Sequence, residues 1–100
     1  MRLSSKVRDV IREAVREVYG PEAVVRLFGS RVHDHLRGGD IDLHVEADSI
    51  GPERFPSRRT KLWAMLQQRL GEQRIDIVVA DPRRHDRAID RLARRDGVAL

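Results

Sequence analysis

The segment DIDLHVE, residues 40–46, alternates polar and apolar side chains without interruption. Because successive side chains of a β-strand point to opposite faces of a sheet, this alternation predicts a strand that is buried on one face only. The core face would carry Ile41, Leu43 and Val45, and the other face would carry Asp40, Asp42, His44 and Glu46. Aspartate is depleted in strands, so two aspartates in one strand require an explanation.

The residues before this segment predict a helix and a strand. Apolar residues three and four positions apart indicate an amphipathic helix, capped by Ser4 or Ser5 and ended by Gly20 and Pro21. The apolar run at residues 23–28 predicts a short strand that is covered on both faces. A short helix is expected over residues 30–36.

The residues after this segment predict a helix, a strand and a last helix. Ser57 would cap the first of these helices and Gly71 would end it, with Trp63 on the buried stripe. Residues 74–80 predict the strand. The buried face of the last helix would consist of Ala88, Ile89, Leu92 and Ala93.

This order of elements indicates an α/β fold in which helices flank a small β-sheet. The turn-like link between the first two strands favours a mixed sheet over an all-parallel one. A chain of 100 residues has the length of one domain, so residues 1–100 are expected to form a single domain.

The composition excludes several kinds of chemistry. The chain has no cysteine, which rules out disulfides, zinc-thiolate sites and thiol nucleophiles. The apolar runs are short, so we expect a cytoplasmic protein without a membrane segment. Lys and Arg outnumber Asp and Glu by 20 to 16, a net charge of +4, which favours polyanionic partners such as nucleotides, RNA or an acidic protein face. A solvated arginine-rich surface explains the same charge.

Three aspartates lie in strand-like runs: Asp40, Asp42 and Asp76. Residues i and i+2 of a strand point the same way and lie ~6.6 Å apart. Ile75 and Ile77 would face the core and turn Asp76 to the other side, so the three carboxylates would share one patch if the two strands are neighbours. Two such charges at ~4 Å repel by about 4 kcal/mol at an effective dielectric near 20, which a hard cation such as Mg²⁺ would relieve. Three independent surface aspartates are the alternative.

Gly29 and Ser30 follow the first predicted strand and have the character of a phosphate cradle. Glycine lets the backbone approach an anion closely, and the serine offers its N–H and hydroxyl groups. Arg31 either binds a phosphate or is a surface charge. A Gly-Ser pair alone is a weak signal, but nine residues separate this pair from the Asp-x-Asp strand, and that combination is much more specific.

The segments FGSRVHDHLRGGDIDLHVE and RIDIVVAD closely resemble the DNA polymerase β-like nucleotidyltransferase superfamily, in particular its minimal nucleotidyltransferase branch. The order of elements matches that branch over essentially the whole chain. The resemblance implies the palm fold of that superfamily, two Mg²⁺ ions, and transfer of a nucleoside monophosphate, AMP from ATP, to a hydroxyl. The implied metal-binding and catalytic residues are Asp40, Asp42 and Asp76, and the nucleotide-binding residues are Gly29, Ser30 and Arg31.

The resemblance also implies a partner protein. Minimal nucleotidyltransferases often act with a helical partner of the HEPN type, as the antitoxin that attaches AMP to a tyrosine of the toxin. Two other functions stay open: an antitoxin that only binds its toxin, and a module that binds or modifies nucleic-acid ends. Crowded carboxylates favour the enzyme, because a binding protein has no need of them. A homo-oligomer also stays open.

Other residues near these motifs have simpler explanations. His44 is expected to be an exposed strand histidine, with the lining of an acceptor channel as the alternative. Glu46 is expected to be solvated. His33 and His35 flank Asp34, but nothing in their spacing indicates a metal site, so we expect a solvated loop.

Overall fold

The computed structural model describes residues 3–29, 41–47, 57–80 and 87–100. The elements are α1 Ser5–Tyr19, β1 Val24–Phe28, β2 Ile41–Glu46, α2 Arg58–Leu70, β3 Ile75–Val79, α3 Ala88–Asp96 and β4 Val98–Ala99. The α/β class is therefore confirmed. The short helix predicted over residues 30–36 lies outside the described residues. No helix in the described ranges is long and apolar enough to cross a membrane.

The strands form one mixed sheet in the order β3-β2-β1-β4. β2 and β3 are parallel, whereas β1 is antiparallel to both β2 and β4. The sequence predicted the mixed sheet and its first three strands but not β4. This strand has only two residues, Val98 and Ala99, which is too short to produce a recognisable alternation.

Side-chain caps determine where α1 and α2 begin. Ser4 Oγ accepts a hydrogen bond of 3.2 Å from the backbone N–H of Val7, and Ser57 Oγ accepts one of 3.1 Å from that of Thr60. Each bond satisfies an N–H group that has no partner inside the helix. Both helices end at the predicted glycines, Gly20 and Gly71.

α1 and α2 cover one face of the sheet and form the main core with it. The fully buried side chains of this core include Ile11, Val15, Leu27, Ile41, Leu43, Val45, Leu62 and Leu66. The prediction for Trp63 is wrong, because 47% of this residue is exposed. The buried stripe of α2 runs through Leu62 and Leu66, and the next residue along a helix is turned by about 100° from such a stripe.

α3 packs against the opposite face of the sheet through its polar side. Asp90 and Ala93 are buried and Ile89 is half-buried, whereas Ala88 and Leu92 are exposed, so the predicted buried face of this helix is right for Ala93 and wrong for Ala88 and Leu92. The reason is that α3 lies over polar residues of β2, where Asp90 hydrogen-bonds His44. Hydrophobicity alone could not indicate such a contact.

β1 is fully buried on one face and only partly covered, by α3, on the other, so the prediction that both faces are covered is right only in part. Val25 and Leu27 lie in the core. On the other face Val24 is exposed, and Arg26 and Phe28 are half-buried. A mostly apolar strand can thus have one face that is only partly buried when a long side chain such as that of Arg26 lies on that face.

Candidate functional site

Asp42 of β2 and Asp76 of β3 lie directly beside each other on the same face of the sheet. The two strands are parallel, with Asp42 in register with Asp76. Ile75 and Ile77 are buried toward the core, which turns Asp76 to the opposite face, as the sequence predicted. Adjacent strands are ~4.8 Å apart, so the two carboxylates occupy one small patch. Asp42 is half-buried and Asp76 is exposed.

Gly29 brings the backbone at the end of β1 against the carboxylate of Asp42. Phe28 is in register with Asp42, and Gly29 follows it with φ +78°, a conformation that favours glycine. A Cβ atom at position 29 would clash with Oδ2 of Asp42 and lie 3.2 Å from its Cγ atom. The structure therefore has a specific requirement for glycine next to the carboxylate pair.

The remaining predicted site residues, Ser30, Arg31 and Asp40, lie outside the described residues, as do His33, Asp34 and His35. Within the described ranges no group of three or more metal-binding side chains occurs. Like charges opposite each other on neighbouring strands are destabilising. Carboxylate oxygens placed like those of Asp42 and Asp76 could together hold a cation.

His44 is on the same face as Asp42, but it is fully buried, so the prediction of an exposed strand histidine is wrong. Its Nε2 atom donates a 2.7 Å hydrogen bond to Oδ1 of Asp90 in α3. Its Nδ1 atom has no hydrogen-bond partner among the described residues, and the nearest carboxylate oxygen there, Oε1 of Glu46, is 3.9 Å away. His44 thus attaches α3 to the sheet beside the carboxylate pair.

Asp90 is also held by Arg87. The backbone N–H of Arg87 donates a 3.1 Å bond to Asp90 Oδ2. The guanidinium donates from Nε to Oδ2 at 3.0 Å and from Nη2 to Oδ1 at 3.1 Å. Burial by itself would raise the pKa of Asp90, but the hydrogen bonds from Arg87 and His44 outweigh it and hold this pKa well below its usual range. Asp90 is therefore an ionised carboxylate inside the protein.

Glu46 is not solvated as predicted, because two arginines bind it. Arg26 Nη1 donates to Oε1 at 2.6 Å, and Arg94 donates from Nε to Oε1 at 2.9 Å and from Nη2 to Oε2 at 3.2 Å. The hydrogen bond from Arg94 lowers the pKa of Glu46, with burial opposing this and the charges of Arg94 and Arg26 adding to it. The negative charge of Glu46, at the end of β2 that α3 covers, is thus paired with two arginines.

A cavity of about 490 Å³ adjoins Asp76 on the side away from Asp42. Residues of α2, including Arg59 and Trp63, line it together with β3. The sequence reasoning missed this cavity, because it placed Trp63 in the core. It also missed Asp90, although an acidic residue in the first turn of a helix is a recognised stabilising feature.

No protein-family model matches the chain, and no curated protein matches it either. The function is therefore inferred from the residues and from their geometry.

Proposed function

We propose that this protein is a Mg²⁺-dependent nucleotidyltransferase that transfers AMP from ATP to a hydroxyl group of another molecule. One observation supports this most strongly. Asp42 and Asp76 share one face of the sheet in register, and Gly29 brings the backbone against the carboxylate of Asp42. A structural role does not account for two like charges side by side next to a required glycine.

The donor set suits Mg²⁺. Carboxylate oxygens are the hard ligands this ion takes, usually one or two from the protein together with phosphate oxygens. Asp42 and Asp76 would supply such oxygens, and Asp40 would join them. When bound, the metal lowers the pKa of an acceptor hydroxyl and stabilises charge on the leaving pyrophosphate.

The order of residues across the sheet suggests how the reactants are arranged. Gly29 lies on the β1 side of Asp42, and Asp76 lies on its β3 side. We assign the triphosphate to the side of Gly29, where Ser30 and Arg31 would also bind it, and the acceptor hydroxyl to the side of Asp76. The hydroxyl oxygen bonds to the α-phosphorus, the bond from that phosphorus to the bridging oxygen breaks, and pyrophosphate leaves. Asp76 takes the hydroxyl proton.

The family and the partner belong to the same proposal. The chain would adopt the nucleotidyltransferase palm fold, and its acceptor would be a tyrosine of a helical HEPN-type toxin. The parallel pairing of β2 and β3 and the antiparallel pairing of β1 with β2 are compatible with this fold. The resemblance of the Gly-Ser and Asp-x-Asp motifs supports the assignment to the minimal branch.

The test is transfer of label from α-labelled ATP to the candidate partner with Mg²⁺ present. Asp42→Asn and Asp76→Asn should each reduce transfer by about 100-fold or more, since each removes a charge that the reaction requires. Glu72→Gln, a matched change at an exposed residue after α2, should transfer label as the wild type does. Undiminished transfer by Asp42→Asn would refute the proposal. Neutralisation of the toxin without transfer would indicate an antitoxin that acts by binding.

A further inference from the structure

A groove runs along the outer edge of β3 and continues from the carboxylate pair. It consists of two adjoining cavities of about 490 and 360 Å³ that share Arg59, Ile77 and Val78. Ile77 belongs to the core face of the sheet and Asp76 to the other face, yet both line the larger cavity. A space that touches both faces must lie at the edge of the sheet. We call it the β3 groove.

The backbone of β3 is oriented to pair with another strand in this groove. Ile41 N–H donates to Arg74 O and Ala80 N–H donates to Val45 O, each at 2.9 Å. In a parallel pair alternate residues bond the neighbouring strand, so Ile75 and Ile77 direct their N–H and C=O groups outward. In the part of the chain that the structure describes, no strand pairs with this edge. At its far end Arg87 Nη2 donates a 2.9 Å hydrogen bond to Val79 O, so the open stretch is that of Ile75 and Ile77.

The side chains of the groove indicate the chemistry of a ligand. Trp63 is 47% exposed and presents an aromatic surface beside the strand edge. Arg59 lines both cavities, and among the described residues no acidic side chain pairs with it. An aromatic surface, an available cation and an open strand edge together fit an extended acidic peptide with an aromatic residue.

We propose that the β3 groove binds an extended acidic segment of the acceptor protein as an additional strand of the sheet. An aromatic side chain of this segment packs on Trp63, and an acidic side chain pairs with Arg59. The inference rests on the proposed function, because Asp76 lines the groove and a tyrosine hydroxyl of the bound segment would lie beside it. The groove also lies on the Asp76 side of the carboxylate pair, away from Gly29, and this is the side to which we assign the acceptor hydroxyl.

The test uses Trp63 as a probe, since it is the single tryptophan of the chain. Short peptides with a central tyrosine, β-branched neighbours and flanking glutamates are added, and the tryptophan emission is followed. The same peptides with lysine in place of glutamate are the controls of opposite charge. We expect saturable emission changes with the acidic peptides only, and slower hydrogen exchange of the Ile77 amide in their presence.

Arg59→Glu should weaken binding of the acidic peptides by about fivefold to tenfold and shift the preference to the lysine peptides. Lys61→Glu, an equal charge change at an exposed position of the same helix that does not line the groove, should bind as the wild type does. Trp63→Ala should also bind the acidic peptides more weakly. Since this variant has no tryptophan emission to follow, its binding is measured by calorimetry. Leu92→Ala, which removes an exposed apolar side chain on α3, is its control.

Three outcomes would overturn the inference. If the emission does not respond to the acidic peptides, or if Arg59→Glu binds them as tightly as the wild type does, the groove does not recognise them. A saturable change in tryptophan emission on addition of MgATP alone would show that the groove binds the nucleobase instead. Dimers in sedimentation that protect the Ile77 amide would assign it to a second copy of the chain. Peptide binding without transfer of AMP to the peptide tyrosine would refute the proposed function and leave the groove intact.

Discussion

Removing the buried carboxylate of Asp90 should destabilise the protein more than its small side chain suggests. Asp90 is 3% exposed and accepts four hydrogen bonds, one from His44 and three from Arg87. In Asp90→Ala these bonds are lost, and His44 has neither ring nitrogen bonded within the described part of the chain. An unsatisfied buried group costs about 1–3 kcal/mol and a lost charge-assisted bond about 1.5–3 kcal/mol. We therefore expect a loss of about 3 kcal/mol.

Urea unfolding followed by far-UV circular dichroism measures this loss. The control is Asp96→Ala in the same helix, whose exposed side chain bonds its neighbour Arg95, and its effect should stay within about 0.5 kcal/mol. A double-mutant cycle with His44→Ala isolates the contact between His44 and Asp90, which should couple by about 1–3 kcal/mol. If Asp90→Ala cost no more than Asp96→Ala, the buried contact would have no energetic importance.

The same carboxylate gives the stability a dependence on pH. The pKa of Asp90 is lowered in the folded state from an ordinary value of 3.8, so the unfolded chain takes up the proton first as the pH falls. The stabilisation is complete above about pH 5 and is lost as the pH falls further. The stability difference between wild type and Asp90→Asn should therefore shrink between about pH 5 and pH 2. A constant difference over this range would contradict the assignment of the low pKa.

Three further predictions concern the site and the core. Gly29→Ala should abolish AMP transfer while the protein stays folded, because the new Cβ atom displaces the Asp42 carboxylate; normal transfer by this variant would exclude the close contact. Removal of Mg²⁺ with EDTA should stop transfer and Mg²⁺ should restore it, whereas transfer that persists in EDTA would argue against a metal site. Leu66→Ala should cost about 2–5 kcal/mol in urea unfolding and Trp63→Ala much less, since Leu66 is fully buried and Trp63 is exposed; equal losses would contradict the observed packing of α2.

The sequence predicts those features that depend on local chain geometry. The alternation in residues 41–46 placed Ile41, Leu43 and Val45 in the core correctly, since the two faces of a strand follow from the backbone alone. The serine caps could be anticipated in the same way. The sequence predicted a shared patch for Asp42 and Asp76 only if their strands are neighbours, and the structure supplies that pairing and its register.

The errors concern contacts between segments that are distant in the chain. His44 is buried because α3 returns over β2, and nothing near His44 in the sequence indicates that helix. The buried face of α3 combines Asp90 with Ala93, because the sheet beneath it presents His44, and Leu92 is left exposed. The exposure of Trp63 follows from a turn of one residue around α2, a difference that an apolar pattern does not resolve.

The two ends of the polar face of β2 differ in how their acidic side chains are placed. At one end, the acidic side chains have basic partners: Glu46 binds Arg26 and Arg94, and Asp90 binds Arg87 and accepts a hydrogen bond from His44. At the other end, Asp76 is exposed beside a second carboxylate and has no ion pair with a described residue. The register of Asp42 with Asp76 beside Gly29 is the arrangement that the proposed Mg²⁺ site would require.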